Sequence, residues 1–191
     1  IYDGLDFSGN FVSLASRSTD VPVITLNGVS KVYFAPGWRI GYMAWHDPLG
    51  VLNNVRDGVE RLLRSRLCAS TPAQHGFLAG LTENQGWLSA HRELIKKRLD
   101  YSLSRIESID GLECQPPGGS FYLFVRITDP NLALDDKKFV LDLLHKKHVL
   151  LVHGSGFSPE MGKGHFRMVC LPEVSVLSEA FDRIESFIRD G

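Results

Sequence analysis

Leu88, His91, Ile95, Leu99, Leu103 and Ile106 recur every three or four residues, and Gly111 follows them. That spacing predicts one long amphipathic helix over residues 87–109, stopped by the glycine. The helix constrains the fold because the hydrophobic rhythm differs on its two sides. Before it, Val21–Leu26 and Ile40–Trp45 are short apolar runs without clean alternation, as expected of strands buried on both faces of a parallel-type sheet. Leu52, Val55, Val59, Leu62 and Leu63 predict a helix near 48–66 with Pro48 at its start. A further helix is expected from Pro72, capped by Ser70 or Thr71. After the long helix, Phe121, Leu123, Val125 and Ile127 alternate with Tyr122, Phe124 and Arg126, the pattern of a half-buried strand. A short helix over Asp135–Lys147 and strands at Val149–Val152 and Phe166–Leu171 come next. A closing helix over Val174–Arg189 places Leu177, Phe181, Ile184 and Ile188 on its inner face. The first part therefore reads as α/β and the last as α+β, with domains at 1–88 and 89–191. No internal repeat or low-complexity segment is present.

The 191 residues carry 21 Lys and Arg against 22 Asp and Glu, and 43% are hydrophobic. That composition supports a packed core, and without a basic stripe it argues against nucleic acid as a partner. No apolar run is long enough to span a bilayer, and the N-terminus lacks a signal-peptide pattern. Cys68, Cys114 and Cys170 are scattered and odd in number. They read as buried thiols in a reducing compartment, so a cytoplasmic protein is expected.

Candidate chemistry concentrates in Asn27-Gly28-Val29-Ser30-Lys31-Val32-Tyr33-Phe34-Ala35-Pro36-Gly37-Trp38-Arg39-Ile40-Gly41-Tyr42. A lysine follows one apolar run, and a Pro-Gly turn and an arginine precede the next. A free lysine, with a pKa of about 10.4, is a weak nucleophile at neutral pH unless its surroundings or a covalent partner change that. Arg39 offers a charged fork suited to a phosphate, and Ser30 a nearby hydroxyl. Arg167 is the second candidate. It lies mid-strand among apolar residues, where a guanidinium is costly without an anionic partner. The glycine-bounded loop His153-Gly154-Ser155-Gly156-Phe157 reads either as an anion nest or as a plain loop. His145 and His148 stand at i and i+3 beside Lys146 and Lys147, and they read as a solvated helix end rather than a metal site. The lysines at 137, 138, 146 and 147 likewise read as a solvated face.

The order of lysine, glycine before arginine, and glycine-aromatic pair in residues 27–42 resembles the lysine motif of the fold type I, class I aminotransferases. These enzymes depend on pyridoxal 5′-phosphate (PLP). Arg66-Leu67-Cys68-Ala69-Ser70-Thr71-Pro72-Ala73-Gln74-His75 is similar to the family's segment near the subunit interface. Pro117–Phe124 is similar to its small-domain turn and strand, and His153–Phe157 followed by His165–Leu171 is similar to a further segment of the family. The resemblance implies an aspartate aminotransferase-like fold, in which 1–88 is the remainder of the large PLP-binding domain and 89–191 is a small α+β domain. Lys31 would bond the cofactor aldehyde, Arg39 its phosphate, Tyr2 its phenolic oxygen, and Arg167 the substrate α-carboxylate. Most class I members carry a serine three positions before the lysine. Gly28 stands there instead, and this variant resembles the bacterial glutamate–pyruvate (alanine) aminotransferase branch.

The reaction so implied is ping-pong transamination between an L-amino acid and a 2-oxo acid, with alanine and 2-oxoglutarate as the expected pair and a homodimer as the assembly. Lys31 would move the proton as base and then acid, and PLP would delocalise the carbanion. The chain starts Ile1-Tyr2-Asp3-Gly4 without methionine. The family's phosphate loop, ring-stacking aromatic and pyridine-nitrogen aspartate all precede this segment. The expectation is therefore a C-terminal piece of a longer enzyme, inactive alone. A PLP-dependent carbon–sulfur β-lyase and a non-catalytic effector-binding domain on the same scaffold are the alternatives.

Overall fold

The computed structural model describes residues 1–83 and 86–190, which divide into two compact units, Ile1–Ala90 and His91–Gly191. The first unit opens with a 3-10 turn, Asp3–Leu5, and α1, Leu14–Arg17. Next come β1, Val23–Gly28, a 3-10 turn at Pro36–Trp38, and β2, Gly41–His46. Helices α2, Asn53–Arg64, and α3, Thr71–Thr82, complete it. The two strands pair antiparallel from Val23 opposite His46 to Gly28 opposite Gly41. The expected parallel-type sheet is thus corrected. Residues 29–40 hold no α-helix to carry a parallel crossover, and they fold back as the loop of a hairpin. Nor are these strands buried on both faces, since Leu26, Tyr42 and Met43 are exposed.

The helix predicted over 48–66 begins later than expected. The Asp47 carboxylate accepts the amides of Val51 and Leu52 at 3.0 and 2.8 Å, and this makes a turn of the segment containing Pro48. No residue of α2 is buried, and Val55, Leu62 and Leu63 of its apolar stripe stand exposed. Helix α3 meets expectation more closely: Ser70 occupies its N-cap position, Pro72 lies in its first turn, and Ala73 and Phe77 are buried. They join Val29 and Ile40 in a small core, with Tyr33 and Ala35 packed against it.

Helix α4, Gly86–Ser108, matches the predicted long helix and buries Ile95, Leu99 and Ile106 of its stripe. Leu88 and Leu103 are half-buried and His91 is exposed. Beyond it lie β3, Leu112–Cys114, β4, Tyr122–Ile127, α5, Asp136–Lys147, β5, Val152–His153, β6, His165–Val169, and α6, Val174–Asp190. The strands form one antiparallel sheet in the order β3-β4-β6-β5. Leu123, Val125, Ile127, Phe166 and Met168 supply its buried side. Leu177, Phe181, Ile184 and Phe187 of α6 and Phe139, Val140 and Leu143 of α5 supply the helix side of the core. The rings meet across this layer. Phe139 stacks on Phe166 at 5.7 Å and meets Phe187 edge-on at 5.4 Å. Arg105 ties α4 to α6 through Asp182 at 2.8 Å and Glu185 at 3.2 Å.

Smaller corrections concern the periphery. Strand β3 was not predicted; three residues are too few to show alternation. The Val149–Val152 strand shifts to Val152–His153, because His148 ends α5 in a left-handed conformation at φ 58° and the chain has yet to straighten. Ile188 is only half-buried, and Phe187 fills the core instead. All three cysteines are free, but only Cys170 is buried; Cys114 is half-buried and Cys68 exposed.

Burial pushes the Cys170 thiol up to about 11, opposed by a hydrogen bond with Ser102. The folded chain therefore holds a proton that the unfolded chain releases near pH 9. The resulting stabilisation is complete below that pH and is lost as pH rises toward 11. Urea unfolding should show a loss of about 2 kcal/mol between about pH 8 and pH 10.5, and Cys170→Ala should flatten that slope. Truncation in the core is expected to act independently of pH. Phe181→Ala should lower the stability of the second unit by about 3–5 kcal/mol, whereas Leu150→Ala, 76% exposed, should change it by less than about 0.5 kcal/mol.

Candidate functional site

Lys31 lies in the hairpin loop between β1 and β2, and buried neighbours hold its backbone. Val29 and Val32, on either side of it, are 1% and 5% exposed. The Phe34 amide donates to the Lys31 carbonyl at 3.2 Å, and the Ala35 amide to the Val29 carbonyl at 3.2 Å. Phe34 and Arg39 bracket the Pro36–Trp38 turn, and both take left-handed backbone, at φ 52° and 53°. Such conformations are costly for side-chain-bearing residues and persist only where surrounding packing imposes them. Here the packing is the small core of Val29, Ile40, Ala73 and Phe77. Arg39 is exposed, and its Nη1 donates to the Pro36 carbonyl at 2.7 Å.

Tyr2 is half-buried at the start of the first 3-10 turn, its carbonyl accepting the Leu5 amide at 2.8 Å. That turn lies against the residue after Lys31: a Cβ added at Gly4 would stand 2.6 Å from Cγ1 of Val32. The Asn27 side chain donates to the Asp3 carboxylate at 3.2 Å and strengthens the same junction. Lys31, Arg39 and Tyr2 therefore belong to one end of the β1–β2 ladder. An amine, a guanidinium and a phenol form a set of groups that fits an aldehyde, a phosphate and a phenolate oxygen, three of the four polar features of PLP. The glycine in place of the expected serine has a local reason. A Cβ at Gly28 would stand 2.8 Å from the Ile40 carbonyl oxygen and 3.2 Å from the Gly41 Cα. Gly41 is equally tight, at 2.7 Å from the Asn27 carbonyl oxygen. The ladder closes on two glycines where neither tolerates a side chain.

Arg167 belongs to the second unit. On β6 it pairs with Phe124 of β4 and Val152 of β5. Its guanidinium carbon lies 4.5 Å from the Tyr122 ring centroid and 4.6 Å from that of Phe157. Its Nε is buried with no hydrogen-bond acceptor, and no carboxylate of the described residues lies within ion-pairing distance of the group. The two ring faces offset part of that cost, at about 0.5–2 kcal/mol each. A buried N–H without an acceptor still costs on the order of 1–3 kcal/mol. A permanently charged fork so placed suits an anionic ligand.

The loop at 153–157 binds an anion of its own chain. The Ser155 amide donates to Asp136 Oδ2 at 2.7 Å, and Asp136 is 5% exposed. His153 Nδ1 and the Ser155 hydroxyl are hydrogen-bonded at 3.0 Å. The sequence reading assigns no site role to Asp136, Tyr122 or Phe157. Tyr122 had a signal, since it shares with Arg126 the outward face of an alternating strand. Phe157 closes the glycine-bounded loop already singled out, whereas Asp136 had no signal, because its role depends on a contact between α5 and that loop.

The family described as "Aminotransferase class I and II" matches residues 1–184. The glutamate-pyruvate aminotransferase AlaA of Haemophilus influenzae is 36% identical over all of this chain and 48% of its own length. The alanine aminotransferase of Mycobacterium tuberculosis is 32% identical over 98% of this chain and 44% of its own. Among solved structures, an alanine aminotransferase from Pyrococcus furiosus superposes with a TM-score of 0.94 at 48% identity, over all of this chain and 48% of that one. An Escherichia coli aminotransferase gives 0.90 at 32% identity, over 99% of this chain and 48% of that one. The chain thus spans about half the length of the relatives it matches.

Restoring the serine common among class I members should be unfavourable here. Gly28→Ser should cost about 1–3 kcal/mol, because the atoms it meets are backbone. Gly37→Ala, with nothing within 4 Å of the new Cβ, should change thermal stability little. Differential scanning calorimetry of both variants checks the contrast.

Proposed function

Because the chain belongs to the class I and II aminotransferases, a PLP-dependent family, we propose that it carries Lys31 and Arg167 for a transamination between an L-amino acid and a 2-oxo acid. Alanine with 2-oxoglutarate is the pair the reading favours, since relatives of this chain are alanine and glutamate–pyruvate aminotransferases. The observation that carries the proposal is Arg167: a guanidinium with a buried, unpartnered Nε, lying over two aromatic rings and lacking a carboxylate among the described residues. A substrate α-carboxylate is the anion such a fork would take, in bidentate form.

Lys31 would hold the cofactor through its aldehyde carbon, Arg39 through its phosphate and Tyr2 through its phenolic oxygen. Bound PLP supplies the electron sink that makes the substrate Cα–H acidic enough to ionise. The residues of the chain do the rest. Arg167 fixes the α-carboxylate and with it the direction of the Cα–H bond. Lys31 would take the Cα proton of the substrate and later return a proton, acting as base and then as acid.

In this reading residues 1–88 are the remainder of a large PLP-binding domain and 89–191 a small domain. The functional assembly is a homodimer. A cytoplasmic location follows from three free, scattered cysteines.

The test uses the full-length protein. Lys31→Ala should reduce alanine–2-oxoglutarate transamination by ~10⁴-fold or more, as expected on losing the group that both holds the cofactor and moves the proton. Arg167→Gln should raise KM for both substrates by about 10²-fold, the scale of a lost bidentate charge pair. Pyruvate release from cystathionine without amino transfer would instead assign the protein to β-elimination.

A further inference from the structure

We propose that Phe157 is a positioning residue for Arg167, and that the 153–164 loop carrying it sets the plane of the guanidinium. The inference rests on reading Arg167 as the ligand of the substrate carboxylate, and it identifies the part of the fold that aims this ligand.

Two rings enclose the guanidinium, and they are held differently. Tyr122 stands on β4, hydrogen-bonded directly to β6, so its place follows from the sheet register. Phe157 stands on a loop and is 52% exposed, so core filling does not explain its position. Its ring contacts are instead with Arg167, at 4.6 Å, and with Phe124, edge-on at 6.1 Å. Phe124 in turn stacks on His165 at 5.1 Å. The sequence Tyr122, Arg167, Phe157, Phe124, His165 is thus a continuous row of planar groups on the outer side of the sheet. With two rings this close to its central carbon, the guanidinium is restricted in how it can turn, and its N–H fork matches the two oxygens of a carboxylate.

The loop's backbone is fastened well enough to hold a ring in place. Ser155 is tied to the buried Asp136 at the start of α5, and the Phe157 amide donates to the Gly154 carbonyl at 2.8 Å. The Gly162 amide donates to the Ser158 carbonyl at 2.9 Å. Gly154 and Gly162 cross so closely that a Cβ at either would run into the carbonyl of the other. Removing the Phe157 ring would leave the Arg167 guanidinium free to rotate about its stem and to take up water. Carboxylate binding should weaken while proton transfer by Lys31 is spared.

The experiment compares Phe157→Ala, Phe157→Leu and Phe157→Tyr with Arg167→Gln in the full-length holoenzyme, using steady-state alanine–2-oxoglutarate kinetics and thermal unfolding. Phe157→Ala and Phe157→Leu should raise KM for both substrates by about tenfold with kcat within about threefold of wild type, and Phe157→Tyr should restore KM. Thermal midpoints should stay close to wild type. Wild-type KM in Phe157→Leu, alongside a raised KM in Arg167→Gln, would overturn the role of the ring face alone. Unchanged KM in Arg167→Gln would remove the carboxylate reading and this proposal with it.

Discussion

A guanidinium set in β6 without a carboxylate from the described residues governs the outer side of the second unit. Such a group must be shielded, paired or hydrated. Here the guanidinium carbon lies over the Tyr122 and Phe157 rings at 4.5 and 4.6 Å. The demand spreads outward from there. Phe157 needs an anchored loop, the loop needs Asp136, and Asp136 is held at the first turn of α5. The opposite side of the sheet meets a different requirement, apolar closure against α5 and α6, and alternation along β4 lets one strand serve both.

In the first unit the corresponding constraint is the close approach of Gly28 and Gly41. It brings two backbones together at the end of the β1–β2 ladder and fixes where the 29–40 loop begins and ends. Buried Val29, Val32 and Ile40 then hold the loop from within, and the left-handed residues Phe34 and Arg39 turn it sharply. Lys31, Arg39 and Tyr2 share the end of the ladder that these backbone features define.

Much of this was legible in the sequence, and the exceptions have physical causes. Local periodicity set α4, α5, α6 and β4, because each buries one stripe or one face and its spacing records that. The strands β1 and β2 were read as parallel because continuous apolar runs do not reveal strand direction. Direction depends on whether the connection contains a helix, and residues 29–40 do not. The stripe on α2 was also read from its pattern, yet it is exposed. Such a pattern records a tendency to be covered, and the described residues do not cover it. Lys31, Arg39 and Arg167 stood out from motif order and from the oddity of a mid-strand arginine. Phe157 and Asp136 did not, since no local signal marks a ring or carboxylate that acts across loop and helix.

The central claim is that Arg167 recognises the carboxylate of an amino acid. It is tested most directly in the full-length holoenzyme by comparing single-turnover reaction with alanine and with alaninamide, which keeps the amine and Cα–H but lacks the charged carboxylate. The account predicts that wild type prefers alanine by about 10²-fold or more and that the preference collapses in Arg167→Gln. An undiminished preference in that variant would contradict it.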